Sequence, residues 1–153
     1  LGILVDENGD DRYRGTRYAQ GAAAHQAVGI LLDKGGDDDY SGLVAANQAA
    51  AWDASIAILE DRRGNDRYVG RGLSQGAAAM NGIGVLHDWG GGDRYSSTSG
   101  QGDGGSTKYW GGRGALNVGM LIDRGGGFDK YDITGRADGI ELRSSRIGLF
   151  SDR

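Results

Sequence analysis

Large apolar residues return along this chain at a fixed distance before an aspartate. Leu4, Leu31, Leu59, Leu86, Leu121 and Phe150 each stand two residues before Asp6, Asp33, Asp61, Asp88, Asp123 and Asp152. Gly or Ala stands four before that marker aspartate, and the position one before it varies between Val5, Leu32, Glu60, His87, Ile122 and Ser151. Alternation with period two marks a strand with one face toward a core. The position three before the marker departs from it. Ile3, Ile30, Ile58, Val85, Met120 and Leu149 are all apolar, which leaves room for a covering layer or partner on the second face.

The markers are 27, 28, 27, 35 and 29 residues apart, a repeat of about 28 with one insertion. Each unit continues with Gly three after the marker (Gly9, Gly36, Gly64, Gly91, Gly126). A second Asp follows at five (Asp11, Asp38, Asp66, Asp93) and a Tyr at seven (Tyr13, Tyr40, Tyr68, Tyr95). The fifth unit has one extra residue, so Asp129 and Tyr131 are its equivalents. Gly-rich turn chemistry separates the two extended segments. A third segment opens with Gln and small residues, QGAAA at 20–24, QAAA at 48–51 and QGAAA at 75–79.

Units this short cannot bury a core alone and must stack. Three extended segments and three corners predict an all-β parallel β-solenoid of about five coils of 27–29 residues. The alternative makes each Ala-rich segment a short helix, giving an α/β solenoid, since Ala is the best helix former. Against it, the fourth unit replaces the Ala run with QGDGGSTKYWGGRG, too rich in Gly for a helix. One domain over 1–153 is expected. Its units are 1–27, 28–55, 56–82, 83–117 with an insertion near 102–110, 118–146 and a truncated 147–153. A solenoid needs caps and this one starts and stops within units, so a piece of a longer chain is expected.

Composition then removes whole classes of function. Proline and cysteine are absent, which excludes disulfides, thiolate metal sites and thiol nucleophiles. No segment has the apolar length of a membrane span, and a net charge of −4 gives no basis for nucleic-acid binding. Of 21 acids only Glu7, Glu60 and Glu141 are Glu, and Arg outnumbers Lys fourteen to three. Asp suits turns and oxygen-rich cation sites; Arg pairs with carboxylates.

Stacking in register would bring equivalent aspartates within roughly 4.8 Å of one another. Like charges at that distance repel by about 3.5 kcal/mol at an effective dielectric of 20, so two uncompensated ladders would cost on the order of 10 kcal/mol. Turn N–H groups, bridging Arg12, Arg67, Arg94 and Lys130, or calcium are the three candidates for offsetting this. The candidate metal ligands are Asp6, Asp11, Asp33, Asp38, Asp61, Asp66, Asp88, Asp93, Asp123 and Asp129, with Ca²⁺ or no cofactor at all.

GGDDDY at 35–40, GGGDRY at 90–95 and SQGAAA at 74–79 resemble uncharacterised bacterial proteins with tandem GxGxLxDxGGDDxY…QGxG repeats. The resemblance covers essentially the whole chain and brings no established activity. The turn also resembles the calcium-binding nonapeptide GGxGxDxUx of secreted toxin-type β-rolls, although the 28-residue coil here is not two nonapeptides. Both resemblances imply a bacterial protein, secreted or at the cell surface.

No catalytic constellation stands out, and an enzyme is the lesser expectation. His25 and His87 occupy variable positions, and GRGALNVG at 112–119 lacks P-loop and dinucleotide-binding spacing. The insertion of the fourth unit carries Lys108, Tyr109 and Trp110, a candidate ligand-binding patch suited to stacking on a sugar ring, or else a cover for a coil edge. Trp52 and Trp89 fall at variable positions. The leading expectation is a non-catalytic structural or adhesive module, calcium-stabilised, self-associating or filamentous through its face or ends. The alternative is a carbohydrate-binding or carbohydrate-active β-helix acting on a polysaccharide.

Overall fold

The computed structural model describes residues 1–104, 116–144 and 147–153. In chain order the strands are β1 (Gly2–Val5), β2 (Arg12–Gly15), β3 (Ala23–Ala24), β4 (Val28–Leu32), β5 (Asp39–Gly42), β6 (Ala51–Trp52), β7 (Ile56–Asp61) and β8 (Arg67–Val69). They continue with β9 (Ala78–Ala79), β10 (Ile83–Asp88), β11 (Arg94–Ser96), β12 (Val118–Asp123), β13 (Lys130–Tyr131), β14 (Glu141–Ser144) and β15 (Gly148–Asp152). There is no helix among the described residues, so the Ala-rich segments are extended and the all-β expectation holds.

Three sheets form the walls of the stack, the third over its first three coils. The first has the order β1-β4-β7-β10-β12-β15-β14, the second β13-β11-β8-β5-β2 and the third β3-β6-β9. Neighbours other than β14 and β15 are parallel and pair at equivalent positions: Leu4 with Leu31, Leu31 with Leu59, Leu59 with Leu86, Leu86 with Leu121, and Leu121 with Phe150. This is a parallel β-solenoid of about five turns. Lys130 and Tyr131 pair with Arg94 and Tyr95, which fixes Asp129 and Tyr131 as the equivalents in the fifth unit.

Each sheet contributes one kind of side chain to the interior. The first sends in the Leu ladder, the second a column of tyrosines, and the third Ala23, Ala51 and Ala78, small enough for the walls to approach closely. Tyr13, Tyr40, Tyr68, Tyr95 and Tyr131 stack face over face with centroids 4.7–4.8 Å apart and planes within 7°. Phe150 ends the column edge-on, at 86° to Tyr131.

The glutamine opening each third segment has a clear task. Gln20, Gln48 and Gln75 each donate from Nε2 to two carbonyls, that of the tyrosine in their own coil and one in the next. These glutamines hold a left-handed backbone, φ 52–57°, a conformation that costs a non-glycine residue about 1–2 kcal/mol. The paired carbonyl contacts offset that cost and clamp adjacent coils together.

The fifth unit leaves the pattern after Tyr131. Instead of a third-sheet strand, the chain passes through 132–140 and returns as β14, the one antiparallel neighbour in the first sheet, against β15. Leu142 packs on the core cluster there and Arg136 lies 5.7 Å from the Phe150 ring. The unit expected as a regular coil therefore closes one end of the first sheet.

Candidate metal centre

Each marker aspartate sits at or directly after the end of a first-sheet strand, and in units one to five it turns the chain into the second sheet. Its Oδ1 accepts the N–H two residues on: Asn8 to Asp6, Gly35 to Asp33, Arg63 to Asp61, Gly90 to Asp88 and Gly125 to Asp123, at 2.8–3.2 Å. The Gly that follows is obligatory on two counts. Gly9, Gly36, Gly64 and Gly91 have φ of 146–152°, which side chains disfavour. A Cβ on Gly36, Gly64 or Gly91 would also fall 1.4–1.7 Å from the carbonyl oxygen of the equivalent glycine below.

In Asp33, Asp61, Asp88 and Asp123 the other oxygen is taken by a tyrosine. Tyr13 donates to Asp33 Oδ2 at 2.6 Å, Tyr40 to Asp61 at 2.6 Å, Tyr68 to Asp88 at 2.7 Å, and Tyr95 and Tyr131 to Asp123 at 2.9 Å. Burial beside these carboxylates pushes all five phenols above their ordinary range, so they stay protonated donors. The tyrosine ladder is therefore more than an aromatic stack.

The second aspartate has a different set of partners. Its Oδ1 accepts the backbone N–H of its equivalent one coil earlier: Asp11 to Asp38, Asp38 to Asp66, Asp66 to Asp93 and Asp93 to Asp129, at 2.6–2.7 Å. Its Oδ2 has nothing. In Asp38, Asp66, Asp93 and Asp129 this oxygen is sealed from solvent and has no hydrogen-bond partner.

Nine carboxylates of the two ladders, Asp33, Asp38, Asp61, Asp66, Asp88, Asp93, Asp123, Asp129 and Asp152, are at most 4 % exposed. None joins an ion pair among the described residues. The expectation that Arg12, Arg67, Arg94 and Lys130 bridge them is wrong. These side chains lie between two inward residues of a strand, so they point out, where all four are exposed and Arg67 pairs with Asp39. Buried charge without an opposite charge raises a carboxyl's pKa. Loss of hydration first, then the neighbouring Asp61, pushes Asp66 up to about 10. The same causes push Asp93 up to about 9 and Asp38 to about 6.

All ten predicted ligands fall into groups of three carboxylates whose oxygens lie within 4.8 Å of one another. These are Asp6, Asp11 and Asp33; Asp33, Asp38 and Asp61; Asp66, Asp88 and Asp93; and Asp93, Asp123 and Asp129. A fifth group joins Asp129 to Asp152 and Asp138. Asp152 was readable as the sixth marker; Asp138 belongs to no repeat position and only the returning segment brings it in. Such groups of hard oxygen donors can hold a metal ion, and the bare Oδ2 in each of four coils is an atom that needs a proton or a cation.

The remaining candidates do not converge. His25 is exposed and bonds Asp53 at 3.0 Å, while His87 lies against the Trp89 ring at 4.2 Å. Trp52 lies in the third sheet and Trp89 beside the end of the first, so they do not share a face. Lys108, Tyr109 and Trp110 lie outside the described residues. Comparison with known proteins gives no match: no family model, no curated protein and no solved structure is similar to this chain.

Proposed function

We propose that this chain is a non-catalytic structural or adhesive rod of an exported bacterial protein, in which calcium ions neutralise the buried aspartate ladders. The observation that carries the reading is the bare, solvent-sealed Oδ2 recurring on Asp38, Asp66, Asp93 and Asp129, each within a group of three carboxylates and without a basic partner. Calcium suits it because it takes six to eight oxygen ligands in flexible geometry, whereas magnesium keeps waters that a sealed column excludes. A calcium-rich medium outside the cell would keep such sites filled, and a stack of near-identical coils with no convergent catalytic cleft among the described residues suits a load-bearing or adhesive part. Self-association into filaments through the rod's ends fits the same reading.

The test is thermal unfolding in calcium against excess EGTA, with calorimetric titration of calcium into the chelated chain. The expected result is a large stabilisation and several sites per chain. Absence of heat and of any shift would sink the calcium reading and leave protons as what satisfies the ladder.

A further inference from the structure

The outward face of the first sheet separates two chemistries. Its rows five and three residues before each marker are wholly aliphatic: Leu1, Val28, Ile56, Ile83, Val118 and Ile147, then Ile3, Ile30, Ile58, Val85, Met120 and Leu149. These side chains point away from the core and range from half-buried to exposed, with Ile56, Ile83 and Ile147 at 40 %, 39 % and 50 %. One residue past the marker the row becomes Glu7, Lys34, Arg62, Trp89, Arg124 and Arg153.

Charge is concentrated along that edge. Lys34, Arg62, Arg63, Arg124, Arg143 and Arg153 stand there against Glu7, Glu60 and Glu141, a surplus of three positive charges on a chain whose net charge is −4. The three glutamates are tied to Lys34, Arg62, Arg143 and Arg153. Arg124 has no carboxylate; it lies 5.7 Å from the Trp89 ring. Asp10 and Asp37 stand further round the turn, where they accept turn amides. Trp89, 46 % exposed, therefore sits on the line where aliphatic gives way to basic.

Two properties of this face select its partner. Its backbone groups are used up within the sheet, so it offers almost none of the hydrogen bonds that a specific protein interface carries. Aliphatic surface bordered by Lys and Arg, with Trp at the boundary, is the arrangement that suits an anionic bilayer surface.

We propose that this face lies on an anionic lipid surface, with the aliphatic rows against the acyl chains and Lys34, Arg62, Arg124 and Arg153 among the phosphates. The inference is independent of calcium in the ladders, which face the opposite way.

Co-sedimentation with phosphatidylglycerol-containing vesicles against pure phosphatidylcholine vesicles tests it, in a calcium-containing buffer for both. The chain is expected to pellet with the anionic vesicles at least tenfold more strongly, and less as salt rises. Ile58→Thr with Val85→Thr, which keeps β-branched residues in the strands, is expected to lower binding about tenfold. Arg62→Gln with Arg124→Gln is expected to lower it about fivefold and flatten the salt dependence. Far-UV circular dichroism reports whether each variant keeps its fold. Should the threonine pair unfold, quenching of Trp89 by brominated acyl chains in a W52F/W110F background gives the same answer without touching the sheet. No pelleting, equal binding to both vesicles, or no quenching overturns the proposal. So does a dimer in sedimentation velocity that the threonine pair dissolves, which would make the face a chain-to-chain contact.

Discussion

The two aspartate ladders use one residue type at one depth, and each coil supplies one of each. The marker aspartates Asp33, Asp61, Asp88 and Asp123 are saturated, Asp61 holding the Arg63 N–H on one oxygen and the Tyr40 hydroxyl on the other, whereas Asp152 beside the turn-back keeps a buried Oδ2 without a partner. The second aspartates are half used: Asp66 holds the Asp38 N–H on Oδ1 and nothing on Oδ2. Burial alone therefore does not make a carboxylate a metal ligand; what matters is the oxygen left over after the backbone and the tyrosines have taken their share. The first ladder builds the turn, and the second ladder states a need that the protein alone does not meet.

On the proposed calcium reading, withdrawing the cation is the strongest way to break this contrast. Each site filled at a hundred times its dissociation constant stabilises by about 2.7 kcal/mol. Emptying three or so should therefore lower the unfolding temperature by on the order of 15–25 °C in a calorimetric scan with EGTA. The next largest effect belongs to the turn that holds the ladders apart. In Gly64→Ala the new Cβ would sit 1.7 Å from the Gly36 oxygen and 2.7 Å from Asp66 Oδ1. A loss of more than about 4 kcal/mol in urea unfolding is expected, with or without calcium.

Proton binding gives a third test, made on the metal-free chain. Burial holds Asp38 at about 6, Asp129 at about 7, Asp93 at about 9 and Asp66 at about 10, against 3.8 ordinarily. A carboxyl that keeps its proton more tightly when folded favours the fold while protonated. That stabilisation is whole below about pH 4 and drains away as pH rises through the folded values. The metal-free chain should lose stability steadily between about pH 5 and pH 9, the reverse of ordinary acid denaturation. Calcium should flatten or invert the slope, and a chelated chain most stable at pH 9 would overturn the account of the bare oxygens.

A finer contrast comes from replacing one carboxyl at a time. Asp66→Asn keeps an acceptor for the Asp38 N–H and is neutral without having to take up a proton, but it can no longer offer a charged oxygen to a cation. It should raise stability in EGTA by about 1–2 kcal/mol and lower it in calcium by about 3 kcal/mol. Asp88→Asn strips the acceptor from Tyr68 and should destabilise under both conditions. The smallest expected effect is Tyr68→Phe, which leaves Asp88 Oδ2 short of one donor for about 1–2 kcal/mol while the ring stack survives. If Asp66→Asn and Asp88→Asn behaved alike, the two ladders would not be different in kind.

The solenoid was legible in the sequence because a repeat states its own stacking: Leu4 to Phe150 mark one column before any propensity is consulted. The outward course of Arg12, Arg67 and Arg94 was legible too, since each lies between an inward Asp and an inward Tyr in a strand of period two; placing them as bridges ignored that period. The tyrosine hydroxyls were beyond reach. Tyr13 meets Asp33 twenty residues on and one coil away, so the bond depends on how far the second sheet tilts toward the first, which no spacing encodes. The same holds for the bare Oδ2 atoms. The sequence supplies the aspartates but not which oxygen the neighbouring coil has already engaged. The turn-back of 132–144 was hidden for another reason: a repeat predicts its continuation, and β14 departs from it before β15 takes it up again.

The sameness of the coils has a consequence for how the chain finds its alignment. A displacement by one whole coil during folding would still lay Leu on Leu, Tyr on Tyr and Asp on Asp, so the interior cannot distinguish one neighbour from the next. The variable surface can. Glu7 with Lys34, Arg67 with Asp39, Trp89 with Arg124 and Ser96 with Asp132 each match a side chain to one particular adjacent coil. Positions that read as noise in the repeat are in effect its addresses, and exchanging them between coils should slow refolding through misaligned stacks while leaving the final structure unchanged.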